Sequence, residues 1–185
     1  MKFVDNRLPE VNQLKTGDIL HCFRDTLLSR IIVRLTGGDV SHTAVVVECW
    51  DQVYVVDAQK DGVNARPLTE WLKKYKYSKI TVARGINPMS KNVKKEYSIK
   101  AFSMIGHTGY DFVTLLLRFP IAIFTGKWLK ERKLTDRMTC SHYVGWLENL
   151  RNAEALSPKD IKDYTMKLDG IEFNHYDFVN IYAYG

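Results

Sequence analysis

The chain has 185 residues and a formal net charge of +6, and 45% of its residues are hydrophobic. This length suffices for one domain with a substantial core, so we predict a single domain over residues 1–185. The basic residues lie in short scattered groups, which argues against a specific nucleic-acid-binding arm. The three cysteines, Cys22, Cys49 and Cys140, form no CxxC pair, which argues against a zinc ribbon or a disulfide scaffold. At least one thiol is therefore free, and we expect neither a metal nor a cofactor.

The first half of the chain consists mainly of strand patterns. Residues 18–23 predict a short strand, and residues 25–36 have apolar side chains at helical spacing before Gly37. Two runs rich in β-branched residues, SHTAVVVEC and VYVVDA, predict an antiparallel hairpin, with a turn in the following DGVNARP. A short helix that starts near Pro67 and a strand in KITVARGI then complete a sheet of at least four strands.

The second half of the chain changes to helix patterns. The run SKNVKKEYSIKAFSMIG predicts a helix that ends by Gly106, and TCSHYVGWLENL predicts another with Thr139 as its N-cap. A short helix begins at Ser157, and the aromatic tail FNHYDFVNIYAYG is a candidate last strand. Because strands mostly precede helices, we predict an α+β fold in which an antiparallel sheet packs against helices.

The most apolar segment, DFVTLLLRFPIAIFTG at residues 111–126, is interrupted by Arg118 and Pro120. A membrane span needs about twenty uninterrupted apolar residues, so we predict no transmembrane helix. A buried helix pair bent at Pro120 is the first interpretation, and a lipid-facing or substrate-channel surface is the alternative. The amino terminus has no signal-peptide pattern, which predicts a cytoplasmic protein for the chain as given and leaves export of an unprocessed precursor open.

Among the three thiols, Cys140 has the setting most typical of a nucleophile. It lies in the first turn of a predicted helix, where free backbone N–H groups and the helix dipole favour a thiolate. Cys22 and Cys49 lie within or at the end of apolar strands, where burial favours the neutral thiol. Cys140 is therefore the candidate nucleophile, with a small packed hydrophobe as the alternative.

A nucleophilic cysteine requires a base and a group that orients the base. His42 opens the SHTAVVVE strand, so its ring is expected to project at the end of the sheet. If the hairpin turns at residues 50–51, Ala44 lies opposite Asp57, which places Asp57 diagonal to His42 on the same face. Glu48 shares that face but lies about 20 Å along the strand, at a rise of about 3.3 Å per residue, too far to orient the ring.

Several short motifs occur in a characteristic order along the chain. They are GDIL at 17–20, SHTAVVVE at 41–48, VVDA at 55–58 with DGV at 61–63, GYDF at 109–112, CSHYVGW at 140–146 and SPKDI at 157–161. Together they resemble the circularly permuted branch of the NlpC-type papain-like cysteine hydrolases, which includes YiiX-like proteins and lecithin:retinol acyltransferase relatives. The resemblance implies a permuted papain-like fold.

The resemblance also implies a catalytic triad of Cys140 as nucleophile, His42 as general base and Asp57 as the residue that orients His42. Many relatives carry another polar residue at the third position and a glutamate or similar group just after the cysteine-serine pair. Here the corresponding residues are Asp57 and His142. The orienting group is therefore Asp57 or another polar residue.

The reaction implied by the resemblance is acyl transfer through a thioester acyl-enzyme, with the backbone N–H of Cys140 as an oxyanion donor. We predict a cysteine peptidase or amidase that hydrolyses amides in peptide or peptidoglycan fragments. A lipid-directed acyl hydrolase or acyltransferase is the alternative, because an apolar TLLLRFPIAIF run accompanies the basic charge. A non-catalytic basic binding module is the alternative of another class. Peripheral membrane contact stays open, and no oligomeric state is predicted.

Overall fold

The computed structural model describes residues 14–75, 78–106, 109–110, 121, 137–167 and 173–178. The strands in these residues are β1 (Ile19–Phe23), β2 (His42–Cys49), β3 (Gln52–Gln59), β4 (Gly62–Pro67), β5 (Lys79–Gly85), β6 (Gly109–Tyr110), β7 (Arg137–Met138) and β8 (Phe173–Phe178). The helices are α1 (Leu27–Thr36), α2 (Leu68–Lys74), α3 (Lys91–Ser103), α4 (Cys140–Leu147) and α5 (Pro158–Lys167), with a 3-10 turn at Ala153–Ala155.

Six strands form one antiparallel sheet in the order β4-β3-β2-β1-β5-β8, and β6 pairs with β7 in a short parallel ladder. The predicted α+β fold with an antiparallel sheet is therefore confirmed. The turn predicted in DGVNARP is limited to its start at residues 60–61, because Gly62–Pro67 pairs with β3 as an edge strand that the sequence did not predict. An edge strand tolerates a proline at its end, since the proline there does not interrupt a central ladder.

The hairpin between β2 and β3 has the turn that the sequence predicts. Trp50 and Asp51 have φ angles of 47° and 59°, as a tight two-residue hairpin turn requires. The turn sets a register in which Val45 lies opposite Val56. Continued toward the start of β2, this register places His42 and Asp57 on one face of the sheet.

The sheet is covered on both faces. On one face the side chains of α2, including Trp71, pack on strand residues such as Val46 and Val55. On the other face α3, α4 and α5 pack on Val45 and Val56. Central strand β2 is buried from both sides, which explains its continuous apolar run.

Helix ends follow the capping signals of the sequence. Thr26 caps α1 by accepting a hydrogen bond from the Ser29 N–H, and Gly37 ends this helix in the left-handed conformation. The hydroxyl of Thr139 likewise accepts from the backbone N–H of His142 and starts α4 at Cys140, as predicted. The cap thereby fixes the helical turn that carries the thiol.

Two sequence predictions fall largely outside the described residues. The apolar segment 111–126 is described only at Ile121, so its interpretation as a bent helix pair is not tested. Part of the aromatic tail does form a strand, because Phe173–Phe178 pairs with β5. Among the described residues, no helix combines the length and the apolar character that crossing a bilayer requires.

Helix α4 is attached to its surroundings at several points. The Tyr143 hydroxyl donates to the carbonyl of Ala101 on α3, and the Ser141 hydroxyl donates to the carbonyl of Leu156. At the other end, the ammonium of Lys100 donates to the carbonyls of Trp146 and Leu147. A cation at this end also interacts favourably with the helix dipole. These contacts fix the position of α4 relative to the sheet.

Gly145 provides a test of how closely α4 packs. A Cβ atom at this position would lie 2.9 Å from Leu156 Cδ1 and 3.1 Å from Ala153 Cβ. We expect Gly145→Ala to lower the free energy of unfolding by about 1–3 kcal/mol through overpacking. Gly85→Ala is the matched control, because a Cβ there meets no atom within 4 Å. Denaturant unfolding measures both variants, and equal stability of the two would contradict this packing.

Candidate active site

The structure brings the three sequence-predicted residues together at one end of β2. Cys140 is the first residue of α4, His42 is the first residue of β2, and Asp57 lies on β3. The Nε2 atom of His42 lies 2.8 Å from Asp57 Oδ2. The thiol of Cys140 lies close enough to the His42 ring for the two groups to interact electrostatically. Because Nε2 faces Asp57, Nδ1 is the ring nitrogen available to the sulfur.

Asp57 is fully buried and is held as a carboxylate by several donors. Its Oδ2 atom accepts from His42, from Gln59 Nε2 at 2.7 Å and from Trp71 Nε1 at 3.1 Å. The Nη1 atom of Arg66 lies 3.6 Å from Oδ1. Burial alone would raise the pKa of Asp57, but the hydrogen bond and charge of His42, with the Gln59 and Trp71 donors, lower it overall. The carboxylate is therefore ionised and accepts a hydrogen bond from Nε2 of His42.

The electrostatics of Cys140 and His42 favour a thiolate–imidazolium pair. Burial would raise the pKa of Cys140, but the charge and hydrogen bond of His42 and the backbone N–H of Thr43 lower it overall. Burial would lower the pKa of His42, but the sulfur of Cys140 and the carboxylate of Asp57 raise it to about 10. Each group thus stabilises the charge of the next.

An aromatic stack fixes the plane of the His42 ring. Tyr75 stacks on His42 with ring centroids 5.6 Å apart, and Trp71 stacks on Tyr75 at 4.1 Å. The guanidinium carbon of Arg24 lies 5.2 Å from the centre of the Tyr75 ring. Trp71 contacts Asp57 directly through its N–H and supports His42 indirectly, through the Tyr75 ring on which it stacks.

Sequence reasoning missed the residues that hold His42 and Asp57 in place. Gln59 lies two residues after Asp57 on the same strand, so the period of a strand places both side chains on one face. Trp71 and Tyr75 are four residues apart, which is the spacing of neighbours on a helical face. These spacings were visible in the sequence, but they do not reveal which helix lies over His42.

The remaining candidates have other surroundings. Glu48 accepts hydrogen bonds from Thr16 and pairs with Lys94, in agreement with its predicted exclusion as the orienting group. His142 is partly buried on α4. Burial raises the pKa of Cys22, as the sequence predicts for a thiol in an apolar strand.

Comparison with known proteins adds three findings. No curated protein matches the chain. The crystal structure of the metalloprotein yiiX from Escherichia coli O157:H7 is similar to it, with 25% sequence identity and a TM-score of 0.56 over 78% of this chain and 69% of that chain. That protein is described as a metalloprotein, whereas the described residues of this chain include no group of three or more His, Cys, Asp or Glu side chains that could hold a metal ion.

The third finding is a sequence match to a protein family. The family is described as permuted papain-like amidase enzyme, YaeF/YiiX, C92 family, and its match covers residues 13–115. This range includes His42 and Asp57 and ends before Cys140. The predicted YiiX-like resemblance and permuted papain-like fold are confirmed. The chain belongs to the permuted papain-like amidase family, and this family is of the cysteine peptidase or amidase type.

Proposed function

We propose that the protein hydrolyses amide bonds in peptides or cell-wall peptide fragments, with Cys140 as nucleophile, His42 as acid and base, and Asp57 as the residue that orients His42. The observation that carries this proposal is the continuous set of contacts from the sulfur through the imidazole to the buried carboxylate. A nucleophile, its base and an orienting group within hydrogen-bonding reach are the parts that covalent acyl transfer requires.

In the proposed acylation step, the Cys140 thiolate attacks the amide carbonyl carbon and forms a carbon–sulfur bond. The carbonyl electrons move to oxygen, and the backbone N–H of Cys140 at the start of α4 donates to this oxyanion. As the carbon–nitrogen bond breaks, the His42 imidazolium gives a proton to the leaving nitrogen. The products of the step are a thioester on Cys140 and a free amine.

In the deacylation step, neutral His42 takes a proton from water while the water oxygen attacks the thioester carbonyl. The carbon–sulfur bond then breaks, a carboxylic acid leaves, and the thiolate–imidazolium pair forms again. Asp57 holds the Nε2 proton of His42 throughout, so that the other ring nitrogen remains directed at the sulfur and the substrate.

A lipid-directed acyl hydrolase or acyltransferase is the second candidate function. Helix α1 exposes apolar side chains, since Leu27 is 77% exposed, Leu28 43% and Ile31 41%. This helix directly precedes, in the sequence, the strand that begins with His42. An exposed apolar face of this kind is typical of a surface that contacts lipid. Parallel assays with short peptide amides and with phospholipid vesicles would distinguish the two functions by the product released.

Substitution of the nucleophile provides the first test of the proposal. We expect Cys140→Ala to abolish amide hydrolysis while thermal unfolding remains within a few degrees of wild type, because the other thiol near His42, that of Cys22 opposite it on β1, has a pKa raised by burial and stays neutral. Cys49→Ala is the control, since Cys49 lies at the opposite end of β2. Retained turnover in Cys140→Ala would exclude a thioester on this residue.

The pH dependence of thiol alkylation tests the proposed ion pair. Because the pKa of Cys140 is lowered, iodoacetamide is expected to label it below pH 8, where an ordinary thiol with a pKa of about 8.5 reacts slowly. Iodoacetamide should also label Cys140 faster than Cys22 and Cys49. His42→Ala removes the stabilising cation, so the midpoint of the rate profile should move to higher pH. Mass spectrometry of the labelled peptides gives all three rates, and equal labelling of the three thiols would contradict an activated Cys140.

Asp57→Asn tests the orienting role. The substitution keeps the size of the side chain but removes the charge that helps to raise the pKa of His42 to about 10. We expect kcat to fall by about 10²–10⁴-fold, since a misdirected imidazole loses general acid–base catalysis. The pKa of His42, followed by NMR titration, should also fall. Asp51→Asn in the exposed β2–β3 turn is the control, and an unchanged kcat in Asp57→Asn would assign the orienting role elsewhere.

A further inference from the structure

Three cationic side chains surround the His42–Asp57 pair on the side of α2 and β4. Arg24 lies over Tyr75, which stacks on His42. Arg66 lies 3.6 Å from Asp57. The ammonium of Lys74 donates to Gln59 Oε1, and Gln59 in turn donates to Asp57. Each cation is therefore separated from His42 by only one or two side chains.

These cations exceed the local negative charge. Asp57 is buried and engaged with His42, and Asp61 is exposed and lies 3.4 Å from Arg66. In the part of the chain that the structure describes, neither Arg24 nor Lys74 pairs with a carboxylate. Burial, then repulsion from Arg66, lower the pKa of Lys74 despite the attraction of Asp57. The three positive charges thus all raise the electrostatic potential around the His42–Asp57 pair.

Structural arginines elsewhere in the chain are paired differently. Arg84 donates two hydrogen bonds to Asp18, and Arg30 donates two to Asp25. The guanidinium of Arg66, by contrast, is shared: its Nη1 atom lies 3.6 Å from Asp57 Oδ1, beyond hydrogen-bonding distance, and its Nη2 atom lies 3.4 Å from Asp61. Arg24 and Lys74 have no carboxylate partner among the described residues, so their charges are the ones available to a bound anion. Guanidinium and ammonium groups together suit the oxygen atoms of a carboxylate or a phosphate.

We infer that Arg24 and Lys74, with Arg66 beside Asp57, form an anion-binding subsite next to the candidate triad, and that the substrate carries a carboxylate or phosphate group that binds there. Because His42 protonates the leaving amine in the proposed mechanism, the fragment beside these cations is the leaving one. The inference rests on the proposed function and extends it, since it assigns a negative charge to the fragment that hydrolysis releases.

Two small electrophiles of nearly equal size test the local potential without any substrate. Iodoacetate is anionic and iodoacetamide is neutral, and both alkylate the same thiolate. The ratio of their rates at Cys140 therefore cancels the thiolate fraction and reports the positive charge near the sulfur. We expect Arg24→Gln and Lys74→Gln each to lower this ratio by about threefold to tenfold. Added salt should lower the ratio in the wild-type protein.

Lys95→Gln on the exposed face of α3 is the matched control, because it removes the same charge away from the site. The ratio at Cys49 in each variant is an internal reference. An unchanged ratio at Cys140 in both Arg24→Gln and Lys74→Gln would overturn the subsite, and so would an equal fall in Lys95→Gln. Since Lys74 is exposed at the end of α2, Lys74→Gln alone decides if Arg24→Gln does not fold.

A set of matched amides identifies the anion. The leaving fragment ends in a carboxylate, a phosphate monoester or a neutral carboxamide. We expect the ratio of kcat/KM for the preferred anionic amide to that for the neutral amide to exceed one and to fall about tenfold in Lys74→Gln. Equal turnover of all three amides would overturn the anion-binding subsite but would be consistent with the proposed amide hydrolysis. No turnover of any amide, combined with a charge-dependent alkylation ratio, would overturn amide hydrolysis and leave the subsite.

Discussion

The register between β2 and β3 is the constraint on which the candidate site depends. Side chains alternate between the faces of a sheet, so a slip of one residue would send His42 and Asp57 to opposite faces. The two-residue turn at Trp50 and Asp51 sets this register, and the valines at 45–47, packed from both sides, oppose any shift. The contact between an imidazole and a carboxylate fifteen residues apart is thus a consequence of turn geometry and core packing.

The site also shows how opposing electrostatic effects are balanced. Burial disfavours the charged form of Cys140, His42 and Asp57 alike, yet their charges alternate in sign along the row, so each offsets part of the cost of its neighbour. A row of two anions and one cation retains one negative charge. The guanidinium of Arg66 lies beside Asp57, where it can balance that charge. Arg24 and Lys74 then remain as positive charge in excess.

The parts of the fold and site that could be predicted from sequence are those with local signals. The hairpin follows from β-branched periodicity, and the start of α4 follows from Thr139, so the neighbourhood of His42 with Asp57 and the helical position of Cys140 were both predictable. The β4 strand was not, because a short sequence with glycine and proline at its ends has the composition of a turn. The stack of Tyr75 on His42 depends on the angle at which α2 crosses the sheet, and no residue pattern within α2 specifies that angle.

The nucleophile and the base are held by different halves of the core. His42 and Asp57 lie on the face covered by α2, where Trp71 and Tyr75 set their orientation. Cys140 begins a helix whose body packs on the other face through Tyr143 and Val144. The sulfur and the imidazole therefore meet only at the end of the sheet. The distance between them depends on how the helices on both faces pack against β2. A protein core responds to a change in volume as small as one methylene. A core substitution on either face would therefore alter the distance between the sulfur and the imidazole even where it is too mild to unfold the sheet. Activity is accordingly expected to be more sensitive than stability to core substitutions on both faces.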